Sequence, residues 1–266
     1  MSADRGVPIL EARGISKRFG GVVAVNDVNL AVNKGQIVGL IGPNGSGKST
    51  MVNLVSGELN ADKGQFLFEG ADITGLPTYR RARAGMARSF QLLRLFTSLT
   101  VEDNLLLASH MRMKTSIVGS ILGRESGLAE EQAARRKARE LLAWFDLEAF
   151  ADKPASDLSI GQQRMVELAR GMMSEPTLFV LDEPAAGLSP PNVDKLILLI
   201  RRLRDEFGMS ILLVEHVMRV VRDLCDHVVV LDSGVKIAEG KPDAVVKDPL
   251  VVEAYIGSGW KRRAQG

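Results

Sequence analysis

Apolar residues in this chain come in short runs separated by polar, glycine-bearing turns, and the runs alternate with stretches of helical period. Ile37–Ile41 is apolar or glycine throughout, the pattern of a strand buried on both faces. A glycine-rich turn follows, then a helical pattern over about Lys48–Ser56, which Gly57 is suited to close from the left-handed region. Residues 65–68, 177–181, 210–214 and 227–231 read as further strands, each bounded by turn residues or charges. Helices are expected over about 191–206 and 216–224, the first opened by Pro190 and Pro191, where a missing N–H costs nothing. Strands alternating with helices predict an α/β fold with a largely parallel sheet covered by helices.

The middle third has a different texture. Residues 100–150 carry helical patterns and almost no strand pattern. Thr100-Val101-Glu102-Asp103 has the form of a capping box opening a helix through about Met111. Residues 113–127 contain glycine and serine and read as an irregular loop. Helix returns over 128–145, with Ala133, Leu141, Leu142 and Phe145 as its apolar positions. The expected organisation is one domain over 1–258, with a core of 1–90 and 160–258 interrupted by a helical insertion at 91–159. Residues 259–266 form a basic tail; Lys261, Arg262 and Arg263 read as a solvated end, with a lipid-binding patch as the alternative.

Composition narrows the classes. With 266 residues, 45% hydrophobic and 25% charged, the chain has the balance of a globular protein. A net charge of +2 does not mark a nucleic-acid binder, and no nucleic-acid partner is expected. One cysteine, Cys225, rules out an internal disulfide and Cys/His zinc clusters and is compatible with a reducing compartment. The first ten residues include Asp4 and lack the apolar core of a secretory signal. Apolar runs such as 196–200 and 228–231 stop far short of the ~18 residues a membrane span needs. Any service to a membrane is expected from the water side.

The candidate chemistry begins at Gly42-Pro43-Asn44-Gly45-Ser46-Gly47-Lys48-Ser49, which fits the phosphate-binding pattern G-x-x-x-x-G-K-[ST]. Glycines allow the backbone to approach the phosphates of ATP closely, inward N–H groups bind them, and the following helix adds its positive end. Lys48 is expected to reach the β- and γ-phosphates and Ser49 to ligate Mg²⁺. Gly42, Asn44, Gly45, Ser46, Gly47 and Thr50 complete the expected nucleotide contacts. The apolar run 177–181 then delivers Asp182 and Glu183 at the C-terminal end of a central strand. Asp182 is placed to hold Mg²⁺ through water, and Glu183 to orient and polarise an attacking water.

A third motif separates one class of phosphate-loop ATPase from the rest. Leu158-Ser159-Ile160-Gly161-Gln162-Gln163 resembles the signature of the ABC ATPases, with Ile160 in place of the usual first glycine. Ser159 and Gln162 also form a capping box, so a well-capped helix N-terminus is expected on either ground. The resemblance covers residues 8–256 and implies a P-loop ABC ATPase core with a mostly parallel sheet, an antiparallel β portion near the N-terminus and a helical insertion. It also implies that Ser159, Gly161 and Gln162 bind the γ-phosphate held by a second ABC ATPase subunit, in a homo- or heterodimer. Phe19 resembles the aromatic that stacks on adenine, with core packing as the alternative. Gln91 resembles the glutamine that contacts Mg²⁺ and water while joining core to insertion, and His216 the histidine that senses γ-phosphate; both join Glu183 as catalytic candidates. Ser189 stands where the family has an aspartate.

A stand-alone cassette resembles the subunits that dock on integral membrane permeases at the cytoplasmic face of the inner membrane. Leu92, Leu93, Leu95, Phe96 and Leu99 are candidates either for packing within the insertion or for a docking groove. Residues 88–91, 94–96 and 99–105, the run 182–188 and the terminal 254–257 resemble the branched-chain amino-acid importer ATPases, and the loop at 113–127 resembles the larger of that system's two ATP-binding subunits. That resemblance implies ATP and Mg²⁺ as cofactors and an indirect partnership with a substrate-binding protein. The alternative is the ATPase of a lipopolysaccharide exporter, which residues 76–83 resemble; a soluble non-transport ABC ATPase fits less well.

Overall fold

The computed structural model describes residues 7–89, 95–109 and 124–256. Among these the strands form two sheets. The smaller contains β1 (Leu10–Phe19), β2 (Val22–Val32), β4 (Lys63–Phe68) and β5 (Ala71–Asp72), antiparallel in the order β2-β1-β4-β5. The larger contains β3 (Ile37–Ile41), β6 (Met86–Arg88), β7 (Leu178–Asp182), β8 (Ser210–Val214), β9 (His227–Asp232) and β10 (Val235–Gly240), in the order β10-β9-β3-β8-β7-β6. Its pairings are parallel except β9 with β10. The helices are α1 (Lys48–Ser56), α2 (Thr78–Ala84), α3 (Val101–Ser109), α4 (Arg124–Trp144), α5 (Ile160–Met172), α6 (Pro190–Phe207), α7 (Met218–Leu224), α8 (Pro242–Val245) and α9 (Pro249–Ile256).

Strands β3, β7 and β8 are buried at every residue, which is why their sequences run apolar without alternation. Their side chains nevertheless divide between two cores. Ile37, Ile41, Phe179, Leu181, Ile211 and Leu213 join a core with α5, α6 and α7, whereas Val38, Leu40, Leu178, Val180, Leu212 and Val214 join α1 and the antiparallel sheet. The result is an α/β molecule with the mostly parallel sheet between helices on one face and a helix plus an antiparallel sheet on the other.

In the helical stretch, the Thr100 hydroxyl accepts from the Asp103 N–H at 3.0 Å, as the capping pattern predicts. Buried Asn104 fastens the preceding turn: its side-chain amide donates to the Phe96 and Thr100 carbonyls and its oxygen accepts from the Phe96 N–H. Helix α4 begins at Arg124, inside the stretch read as loop, so Gly127 lies within a helix. A helical glycine costs only about 1 kcal/mol relative to alanine, which the 21-residue helix absorbs. Residues 113–123 lie outside the described residues. Ala133 faces solvent, and Ala138 takes the buried place with Leu141, Leu142 and Phe145. These four keep helical spacing, whereas position 133 is five residues before 138 and falls off that face.

Two close approaches fix how helices sit on the central sheet. Gly171 of α5 lies over Phe179 of β7, where an added Cβ would stand 2.4 Å from the ring. Cys225, just after α7, lies against Gly39 of β3, and burial pushes its thiol up to about 12. Gly171→Ala should therefore destabilise the fold. Alanine gains about 1 kcal/mol of helix propensity, but forcing a methyl against a fully buried ring costs about 1–3 kcal/mol. A melting temperature lowered by a few degrees is expected in thermal denaturation; an unchanged or raised value would mean that the helix relaxes away from the sheet freely.

Candidate functional site

Because β3, β7 and β8 are parallel neighbours, the loops that leave them open at one edge of the sheet. The phosphate loop follows β3, Asp182 ends β7 with Glu183 next, and His216 comes two residues after β8. The topology thus gathers groups scattered over 175 residues, from Gly42 to His216.

The loop's shape is enforced from behind. Gly42 has φ 151°, and a Cβ there would meet the Leu231 carbonyl oxygen at 2.1 Å; Gly47 has φ 101°, with the Ala24 carbonyl oxygen 2.4 Å from its would-be Cβ. Glycine is the residue that fits both places. The Gly234 N–H donates to the Ser46 carbonyl at 3.0 Å, and the Asn26 N–H donates to the Gly234 carbonyl at 2.8 Å. Strand β2 and the β9–β10 turn together form the loop's back wall. Asn44 and Gly45 lie on its open side, and Ser46 is buried.

Helix α1 opens at Gly47 with no side-chain cap and no acidic residue in its first turn. Its leading N–H groups and positive end are left for an anion. Ser49 is exposed and Thr50 half-buried in that turn. Buried Lys48 donates to the Gly42 carbonyl at 2.8 Å and the Pro43 carbonyl at 2.9 Å. Burial lowers its pKa, and the nearby Glu183 and Asp182 carboxylates oppose that shift. At the far end of α1, buried Arg81 donates to the Leu54 and Val55 carbonyls at 2.8 and 2.7 Å. A cation is favoured at that negative end, although burial lowers the Arg81 pKa to about 10.

Asp182 is buried, and burial raises its pKa while Arg88, 3.0 Å away, opposes the rise. Arg88 also pairs with Glu58 at 3.1 Å and donates to the Ser56 hydroxyl at 3.0 Å, linking β6, β7 and the end of α1. Glu183 has φ 48°, an uncommon conformation for a residue with a side chain. Its N–H donates to the Val214 carbonyl at 2.9 Å, tying the ends of β7 and β8. The exposed His216 ring places Nδ1 3.8 Å from Glu183 Oε2.

At the start of α5 the expected capping box is present. The Ser159 hydroxyl accepts from the Gln162 N–H, and Gln162 Oε1 accepts from the Ser159 N–H at 2.9 Å. Ile160 is 60% exposed, and Gly161 lies against the Asn192 side chain of α6. Among the described residues no hydrogen bond joins this turn to the phosphate loop of the same chain. Phe19 ends β1 on the other sheet and is 46% exposed, which sets aside the core-packing alternative. Gln91, Leu92 and Leu93 lie outside the described residues. Helix α7 starts at Met218, two residues later than the sequence pattern gives, because the His216 and Val217 N–H groups donate to the Glu215 carboxylate.

Sequence reasoning did not single out Arg88, Glu215, Ala24 or Gly234. Glu215 had a signal, a lone acid closing the apolar run of β8. Ala24 and Gly234 act through their backbone and leave no signal in a single sequence.

These features define a phosphate-loop nucleotide-binding protein. Residues 25–186 match the family model described as ABC transporter, and residues 235–261 match the one described as branched-chain amino acid ATP-binding cassette transporter. The high-affinity branched-chain amino acid transport ATP-binding protein BraF of Pseudomonas aeruginosa is 42% identical over 94% of this chain and 98% of its own length. LivG of Escherichia coli, a protein of the same description, is 40% identical over the same shares. The ADP conformation of MJ1267, an ATP-binding cassette of an ABC transporter, superposes with a TM-score of 0.81 at 34% identity, covering 95% of this chain and 100% of that one. A dimeric post-hydrolysis structure of the cassette MJ0796 bound to ADP and Pi gives 0.73 at 26% identity, covering 88% and 98%. The chain belongs to the ABC transporter family, as an ATP-binding subunit whose ATPase activity is coupled to transport.

Lys48→Ala should weaken ATP binding by about 10–100-fold, since hydrogen bonds to a charged group contribute about 1.5–3 kcal/mol. Titration with a fluorescent ATP analogue measures this; retained affinity would take Lys48 out of the phosphate site.

Proposed function

We propose that this chain is the ATP-hydrolysing motor of an importer for branched-chain or other apolar amino acids. The observation that carries the cargo is the similarity to BraF and LivG over nearly the full chain, together with the C-terminal match at residues 235–261. It favours amino-acid transport over lipopolysaccharide export.

In this reading the loop from Gly42 through Ser49 and Thr50 wraps the ATP phosphates, Lys48 turns from the Gly42 and Pro43 carbonyls toward the β- and γ-phosphates, and Phe19 stacks on adenine. Ser49, Asp182 and Gln91 would hold Mg²⁺. Among the described residues there is no cluster of three or more acidic, His or Cys side chains able to cage a metal. One carboxylate plus one hydroxyl nevertheless suits this ion, which keeps waters and takes phosphate oxygens. The ion would neutralise charge developing on the phosphates. Glu183 orients the attacking water and accepts its proton; His216 senses the γ-phosphate, and Gln91 contacts the ion and water while joining core to insertion. Ser159, Gly161 and Gln162 face the γ-phosphate of a second ATPase subunit, identical or related, which the dimeric cassette supports.

The working arrangement is a core of 1–90 and 160–258 carrying an inserted helical unit at 91–159, seated on integral membrane permeases at the cytoplasmic face of the inner membrane. No described helix is long and apolar enough to cross a membrane. A cavity of about 220 Å³ where β6 meets α2, α3 and α5, bordered by Thr78, Arg88, Ala108, Arg170 and Ser174, supports docking of a permease segment at this place. Coupling is then mechanical, and a substrate-binding protein acts indirectly through the permeases.

Glu183→Gln should keep ATP binding and slow hydrolysis by about 10²–10⁴-fold, the range of a general base. Single-turnover assays and trapping of an ATP-bound dimer on a sizing column check it; unchanged turnover would move the base elsewhere. For the cargo, the chain reconstituted with its permeases should show ATPase stimulated by a binding protein loaded with leucine, isoleucine or valine, and not by the empty protein. Indifference to every amino acid, with co-purification of lipid-export partners, would overturn the import reading.

A further inference from the structure

Strand β8 ends at the edge where the chemistry is gathered, and the residue that follows it, Glu215, is a carboxylate with 0% exposure. A buried charge is costly unless its oxygens are satisfied. Both are satisfied by backbone. Oε1 accepts from the Ala185 N–H at 2.8 Å, while Oε2 accepts from the His216 N–H at 3.1 Å and the Val217 N–H at 3.2 Å. One side chain thereby grips two loops. Ala185 is two residues after Glu183, in the turn leaving β7; His216 and Val217 are the turn leaving β8. A further hydrogen bond ties the same turns, from the Glu183 N–H to the Val214 carbonyl at 2.9 Å.

The Glu183 backbone conformation at φ 48° needs a surrounding structure that holds it. The 3.8 Å separation of His216 Nδ1 from Glu183 Oε2 spans the same two turns. From this geometry we infer that Glu215 is a positioning residue for ATP hydrolysis: its carboxylate clamps the turn carrying Glu183 to the turn carrying His216, so that both present their side chains to one γ-phosphate. The inference rests on the reading of Glu183 and His216 given above. Glu215 touches neither nucleotide nor water in this role. It acts through the backbone of its neighbours, and the clamp needs two acceptor oxygens facing opposite ways.

Glu215→Gln tests that requirement, because it preserves shape and leaves only one acceptor oxygen. The amide's own hydrogens then face backbone N–H groups at one of the two turns. Assayed as the full chain with its partner subunits, the variant should lose about 10–100-fold in kcat, the scale of a sub-ångström to ångström misplacement. KM and ATP affinity should stay within about twofold. Hydrogen exchange gives a readout independent of activity: in the wild-type chain the Ala185, His216 and Val217 amides should exchange together, and in the variant at least one turn should exchange about tenfold faster. In the Glu183→Gln background, Glu215→Gln should add little further loss, because both changes act on one step. The inference is overturned by unchanged kcat in a folded variant, by an equal loss of ATP affinity and melting temperature, or by full multiplication of the two effects. If Glu215→Gln does not fold, unrelated exchange rates at the three wild-type amides would overturn the clamp, and a shared rate would support it. Normal turnover of Glu183→Gln alone would show instead that the underlying reading of Glu183 has failed.

Discussion

The site depends on how helix α1 is held at its two ends. At its start the chain turns through Gly47 under the Ala24 carbonyl, with the Gly234 turn buttressing Ser46. At its finish the Arg81 guanidinium takes the last carbonyls in a place where a desolvated cation would otherwise be costly. Both contacts act in the direction of the helix dipole, leaving the positive end open and satisfying the negative one. The donors of the anion site are consequently held in place by the fold's own contacts. Arg88 extends the same logic sideways, joining the end of α1 to the carboxylate that closes β7.

The second organising constraint is the parallel sheet. Parallel strands bring all their C-terminal ends to one edge, so chemistry can be distributed over loops distant in sequence and still meet. The arrangement leaves each loop anchored by only one strand. Cross-ties therefore carry much of the geometry: the Glu183 N–H to Val214, the Glu215 carboxylate to both neighbouring turns, and the β9–β10 turn against the phosphate loop.

Much of this was legible in the sequence because its signals are local. Unbroken apolar runs gave β3, β7, β8 and β9 to within a residue or two, and Ser159 with Gln162 announced the start of α5. The phosphate loop was readable because each position has its own requirement. What escaped depends on partners remote in the chain. Strand β1 hides its alternation behind shifts of register at Ala12, Ile15 and Lys17, so no period of two survives over its length. Helix α7 loses its expected first residues to a carboxylate that the helical pattern alone does not weigh. Ala133 looked apolar enough for the core, but helical phase puts it in water. Arg81 entered the sequence reading only within residues 76–83, as a likeness to the exporter ATPase, and only the fold reveals it as a buried helix cap.

The closeness of α7 to the central sheet has a practical corollary. The chain's one thiol, Cys225, is wedged against Gly39 and held far from the thiolate form that reacts with alkylating reagents. Nature has in effect supplied a silent background for chemistry at sulfur. A cysteine introduced at an exposed position outside the nucleotide site, such as Val7, would be the sole reactive handle, ready to carry a spin label or fluorophore without first stripping the native residue from a place where its volume is needed. Spectroscopic distances between two such subunits could then be followed through a turnover cycle in an otherwise unaltered protein.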